Sequence, residues 1–322
     1  MLYGRSGLLI NFMNALADKL SADPEIQANA PDFHLFSFAY HYTKEIPKVS
    51  PEKLRCNDNV AMMICLNADN AFNSLFEEGY TSKKILSSWG AYCNDILFWG
   101  YDGNFAYYLD YYPTTSGVLA DNVFGLKNIG ATTYLINGLY NADNLWFAKM
   151  HAYAFSRLAY NFDYEMYAKG SDAYVDKLVK EYLRAYYCES WLAVYNYVTY
   201  YMDAYEKAGV VLSGTTPCSS LLSKAQHKEA LALIDKAIED CTNPEIIKRL
   251  YSIKATNLAV EIINYTRFNG NSKTAQWKAD AYAFCDEFTS VCQKAGLTVW
   301  RETGNVSSIS AYIDYFKRTV IG

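Results

Sequence analysis

Hydrophobic and polar positions follow two regimes along the chain, one of short apolar runs between helical stretches and one that is helical throughout. The first begins near Ser6 or Gly7 with a helix whose apolar face is Leu8, Leu9, Phe12, Met13, Leu16 and Leu20, stopped before Asp23-Pro24. Phe33 to Tyr40 reads as a strand buried on both faces, and Asn59 to Leu66 as a second strand that runs out into Asn67-Ala68-Asp69-Asn70. Thr81 opens a helix through Cys93 that leads into a third strand, Ile96-Leu97-Phe98-Trp99. Thr115 or Ser116 opens a helix to Asn128, stopped by Gly130. A fourth strand, Ala131 to Ile136, gives way to Asn137-Gly138, and Asp143 caps a helix reaching Tyr160.

Strand, loop and helix thus recur in order, which predicts a parallel sheet with right-handed crossovers and with function in the loops after the strands. Four strands are half of an eight-stranded barrel, and an open parallel sheet of four would leave two edges and one face uncovered. The fold class expected is α/β followed by all-α: a half β/α barrel of the TIM type over residues 1–165 and a helical C-terminal domain over 166–322. An upstream domain or a partner chain would complete such a barrel. Beyond Ser171 the expected helices are Asp172–Cys188, Glu189–Ala208, Ser220–Cys241, Asn243 to about Phe268, and Lys273–Ala295. A strand-like Leu297-Thr298-Val299-Trp300 and a last helix, Ser307–Thr319, close the chain.

Composition narrows the classes. The 29 basic and 34 acidic residues give a net charge of −5 with no basic stripe, which argues against nucleic acid as partner. The 30 tyrosines suit half-buried helix faces and binding clefts equally. Eight cysteines form no CxxC and no zinc-ligand spacing with histidine, so no metal is expected; their scatter suits a reducing compartment. Asn11, Asn14, Asp18 and Lys19 interrupt the first apolar stretch, making it an amphipathic helix, neither a signal segment nor a membrane span. On that reading the protein is cytoplasmic. No phosphate loop, Ser-His-Asp order or HExxH occurs, and no cofactor is implied.

Candidate chemistry gathers after the strands. The stretch from Asp95 to Thr115 turns from an apolar strand into a Gly-containing loop rich in tyrosine, asparagine and aspartate, the mixture that a sugar-binding cleft needs. Trp99 and Tyr101 offer rings for stacking, while Asn67, Asn104 and Asn137 suit hydroxyl recognition. Tyr40, His41 and Tyr42 follow the first strand and could hydrogen-bond a substrate. Asp69 and Asp102 are the carboxylates that most closely follow strand ends and are the candidate acid/base pair; glycosidases place two such groups about 5 to 9.5 Å apart. The competing assignments are aspartates that hold their own loops and aromatics that pack the core. His34 reads as a core residue and His227 as a solvated one.

The order FAYHYT, DNVAMMICLNAD, ILFWGYDGNFAYYL and GATTYLING, followed by HAYAFSRLAYNFD and YVDKLVKEYLRAYY, resembles a bacterial family, domain of unknown function 4838, from about Gly7 to about Ala208. That resemblance implies the second half of a glycoside-hydrolase-type barrel with a helical bundle, similar in layout to α-glucuronidases and hexosaminidases, in relatives that are often exported. The family's acid after the strand tryptophan is Gly100 here, and its acid in the fourth strand is replaced in Leu135-Ile136-Asn137-Gly138. Three readings follow: a glycoside-hydrolase-like enzyme using Asp69 and Asp102; a carbohydrate-binding or scaffold protein that has lost its acids; and a barrel fragment that needs a partner.

Overall fold

A computed structural model describes residues 3–66, 71–101, 103–111, 116–139, 145–209, 211 and 222–322. It divides into two compact units, one of Met1–Asp69, Asn73–Tyr101 and Ala120–Asn137, the other of Asn70–Phe72, Asp102–Leu119 and Gly138–Gly322.

The first unit is α/β. Its sheet is wholly parallel in the order β1 (Leu35–Ala39), β2 (Val60–Cys65), β3 (Ile96–Tyr101), β4 (Ala131–Asn137). The helices are α1 (Gly4–Ser21), α2 (Pro24–Asn29), α3 (Thr81–Trp89) and α4 (Val118–Asn128). The start of α2 follows its sequence closely, with Pro24 at the first helical position and the Asp23 carboxylate accepting from Glu25 N at 2.8 Å. In α4, Gly125 lacks the Cβ that would lie 2.2 Å from the Phe76 ring, so the aromatic seats directly on the helix.

The two faces of this sheet differ. Register puts Ala39, Met62, Ile64, Phe98 and Ile136 on one face, where they join Ile10, Met13, Ala17, Ile85, Leu86, Trp89 and Leu126 in a single hydrophobic core. The other face carries Phe36, Phe38, Met63, Leu97, Trp99 and Leu135, with Phe36 53%, Phe38 42% and Leu135 37% exposed. The expectation that the first strand is buried on both faces is therefore corrected: only β2 is buried at every position. As the edge strand of the sheet, β1 has a neighbour on one side only. The same rotation corrects α1, whose buried stripe is Ser6, Ile10, Met13 and Ala17, while Leu8 and Phe12 are exposed. His34 is exposed as well, not in the core.

The second unit is helical: α5 (Trp146–Tyr160), α6 (Tyr164–Lys169), α7 (Ser171–Tyr187), α8 (Trp191–Ala208), α9 (Lys224–Asp240), α10 (Pro244–Ile263), α11 (Tyr265–Asn269), α12 (Ala275–Ala295) and α13 (Ile309–Phe316). Each of α7 to α10 packs on the next, α12 packs on α10, and α5 lies on α7 and α10. The helix expected to reach Phe268 breaks at Asn264, whose side chain donates to Val260 O at 2.9 Å. The strand expected at 297–300 is one antiparallel bridge, Val299 to Ser308. The core is aromatic: the Tyr111 and Trp146 rings stack at 5.0 Å, and Tyr197, Tyr201 and Tyr205 are fully buried. Polar ties run through it, from Trp146 Nε1 to Thr256 Oγ1 at 3.1 Å and from Asn257 Nδ2 to the Tyr201 hydroxyl at 2.9 Å. The Tyr108 amide donates to Trp300 O at 3.0 Å, tying the segment 103–111 into this unit.

Candidate functional site

In a parallel sheet all strands point the same way, so the residues after them leave from one edge. Here Ala39 lies opposite Ile64, Cys65 opposite Trp99, and Tyr101 opposite Asn137. The ends of all four strands, and with them Tyr40, His41, Trp99, Tyr101 and Asn137, therefore share that edge.

The side chains form an aromatic row. Phe36 meets Phe38 edge-on at 5.8 Å, Phe38 meets Trp99 edge-on at 5.7 Å, and Trp99 lies 6.4 Å from Tyr101 with the rings tilted by 37°. Trp99 is half-buried, and its indole N–H has no hydrogen-bond acceptor among the described residues. Alternation explains the row: Trp99 and Tyr101 share a face, and Gly100 between them turns to the opposite, helix-covered side. A Cβ at Gly100 would lie 2.7 Å from the Phe98 ring and 2.8 Å from Ile136 Cδ1. Close packing, rather than backbone freedom, thus keeps position 100 small, and the position faces away from Trp99.

The loop after β1 is organised by Thr43. Its hydroxyl donates to Phe38 O and accepts from the Tyr40 amide at 3.1 Å, closing the short turn His41–Thr43. His41 takes a positive φ of 46°, a conformation that costs a non-glycine residue of order 1–3 kcal/mol and that tends to occur where a side chain is held for a purpose. Its exposed ring lies 3.9 Å from the Tyr40 ring, tilted by 43°. Tyr42 is 75% exposed, with the Arg5 guanidinium 4.4 Å above its ring.

The remaining candidates fall elsewhere. Asn104 belongs to the helical unit and is fully buried; its side-chain oxygen accepts from the amides of Ala106 and Tyr107, each at 3.1 Å. That is the loop-holding geometry of an Asx turn. Asp110, Tyr108 and Tyr111 are likewise fully buried in that unit. Asn67, Asp69 and Asp102 lie outside the described residues. At the end of β2, burial pushes the Cys65 thiol up to about 11, which leaves it a poor nucleophile. Among the described residues no group of His, Cys, Asp and Glu converges to hold a metal ion, and no helix is long and apolar enough to cross a membrane.

Sequence reading missed Phe36 and Phe38 as parts of this surface. The available signal was the alternation Leu35-Phe36-Ser37-Phe38-Ala39, in which the two phenylalanines share a parity opposite to the small residues.

A family model for a domain of unknown function, DUF4838, matches residues 2–203. The chain belongs to that family. The match spans the sheet and the helices through most of α8, while α9 to α13 lie beyond it. No curated protein and no solved structure matches the chain.

Proposed function

We propose that this DUF4838 protein binds a poly- or oligosaccharide at the C-terminal edge of its parallel sheet, on a half β/α barrel related to glycoside hydrolases. The observation that carries the reading is the aromatic row ending in Trp99 and Tyr101 at the one edge from which every strand loop departs. Ring faces flanked by amide and imidazole groups suit the alternating apolar and hydroxyl-bearing sides of a pyranose, and such clefts form at the carboxyl ends of parallel strands. Half-buried aromatics also bind with little loss of side-chain freedom. On this reading the exposed apolar face of the sheet is the inner wall of the barrel, of which the strands described here make one half.

A titration with oligosaccharides of graded length, followed by tryptophan fluorescence and calorimetry, tests the reading. Trp99→Ala should weaken binding by about ten- to hundredfold, the 1–3 kcal/mol of a stacking ring. Saccharide binding that Trp99→Ala leaves intact would move the site elsewhere.

A second reading, hydrolysis, is favoured by the pairing of Cys65 with Trp99. Those two positions lie on neighbouring strands, about 4.8 Å apart, and Asp69 and Asp102 come after them in the sequence. Turnover of aryl glycosides or uronides that is lost in both Asp69→Asn and Asp102→Asn would establish it. Binding without turnover would leave the protein a lectin-like member of its family.

A further inference from the structure

The helical unit contains a second concave site, apart from the sheet edge. A cavity of about 210 Å³ opens among α5, α7, α10 and α12, with Trp146, Tyr187, Ser252 and Ala295 buried beneath it and Lys149, Glu245, Lys248 and Arg249 around it. That is room for about seven waters at ~30 Å³ each, or for a small metabolite of similar bulk.

Two features of the lining point to an anion. First, three cations face one carboxylate, and neither Lys149 nor Lys248 has an ion-pairing partner among the described residues. Second, Arg249 is held in place: it donates to Tyr186 O, and its guanidinium lies 4.1 Å over the Tyr186 ring. Its remaining N–H groups keep their directions, and a guanidinium so fixed loses little freedom on binding a planar or tetrahedral oxyanion.

We propose that this pocket binds a small dianionic oxyanion, a phosphate monoester or a dicarboxylate, with Lys149, Lys248 and Arg249 supplying the charge. The charge excess of the lining matches two negative charges. The strip of aromatic floor under the cations would seat the ligand's carbon skeleton.

Inorganic phosphate, glycerol phosphate and succinate, each titrated into the full chain by calorimetry and thermal shift, form the probe set. Millimolar or tighter binding is expected for at least one, falling as salt rises. Preference for the phosphates or for succinate separates the two sources of charge. The Lys149→Ala, Lys248→Ala double variant alters two exposed side chains and should fold; it should weaken binding by about ten- to hundredfold. Absence of binding by all three probes at millimolar concentration overturns the proposal, as does binding that the double variant leaves unchanged.

Discussion

The sheet unit and the helical unit bury their aromatic residues to opposite ends. In the sheet unit, one face is a finished core and the other leaves Phe36, Phe38 and Leu135 in solvent beside a half-buried Trp99. In the helical unit, Tyr197, Tyr201 and Tyr205 are buried completely, and the hydroxyls of Tyr182 and Tyr187 have no hydrogen-bond partner among the described residues. Burial pushes both phenols upward, the mark of a polar group taken out of water. The helical unit closes its aromatic core at the expense of a few hydrogen bonds, while Tyr160 and Tyr164 stay exposed on its outside. The sheet unit left apolar surface open, and the open surface is where the strand ends present their chemistry. A large exposed apolar face on a folded unit is the usual sign of a surface awaiting a partner or ligand.

The largest effects should come from the closed cores. Trp146→Ala removes a side chain that is 2% exposed, stacked on Tyr111 and bonded to Thr256, and should cost about 3–5 kcal/mol. Leu86→Ala, on the finished side of the sheet unit, should cost about 2–5 kcal/mol. Denaturant midpoints read both. A loss below about 1 kcal/mol at either position would mean that its core is not packed as described.

Much of this division could be read in advance from the chain, and the failures have physical causes. Short apolar runs bounded by turns gave β2 and β4 to within a residue and β3 to within two, because those strands are short, apolar and flanked by Gly or Asn. The same apolarity misled at β1, since an apolar strand can face solvent when nothing covers it. His227 shows the converse. Its helix is charged, which suggests solvent, yet His227 is 1% exposed. In the structure His227 shares the buried stripe of its helix with Ala230, Ile234 and Ala237, and a histidine is ambiguous from sequence until its partner is known. That partner, Glu261, comes from α10, 34 residues away, at 3.2 Å. The aromatic stretch after Asp95 divided for a related reason. Ile96 to Tyr101 belongs to the sheet and 103–111 to the helical core, and local composition carries no information about which unit a loop joins. Trp99, Tyr101 and Asn137 were legible as strand-end residues; Asn104 was not, because an Asx turn and a ligand contact use the same side chain.

The His227–Glu261 pair gives an intermediate effect with a pH signature. Burial tends to raise the Glu261 carboxyl, and hydrogen bonds from His227 and Asn269 more than offset this, leaving it below the ordinary range. A carboxyl depressed in the folded state contributes stability that is present above its unfolded value of about 4.3 and lost as pH falls through the folded value. His227→Ala should cost about 1–3 kcal/mol at neutral pH by leaving a partly buried carboxylate short of a donor. Glu261→Gln should flatten the acid limb of the stability profile below about pH 4.5 relative to wild type. Parallel acid limbs in the two proteins would show that the pair does not couple to folding.

The smallest effect decides the comparison most directly. Phe36→Ser exchanges an exposed ring on the open sheet face for a hydroxyl; Phe36 touches Phe38 edge-on and is 53% exposed, so little buried area is at stake. Its midpoint should move by no more than about 0.5 kcal/mol, the range of ordinary surface changes, against the 2–5 kcal/mol expected of Leu86→Ala on the other face. The substitution should also reduce self-association and dye binding, because it interrupts an apolar surface beside an unpaired strand edge. A cost close to that of Leu86→Ala would mean the face is covered in solution, and the asymmetry between the two sides of the sheet would be lost. Unchanged stability with reduced association would leave the open face as a surface kept for something other than folding.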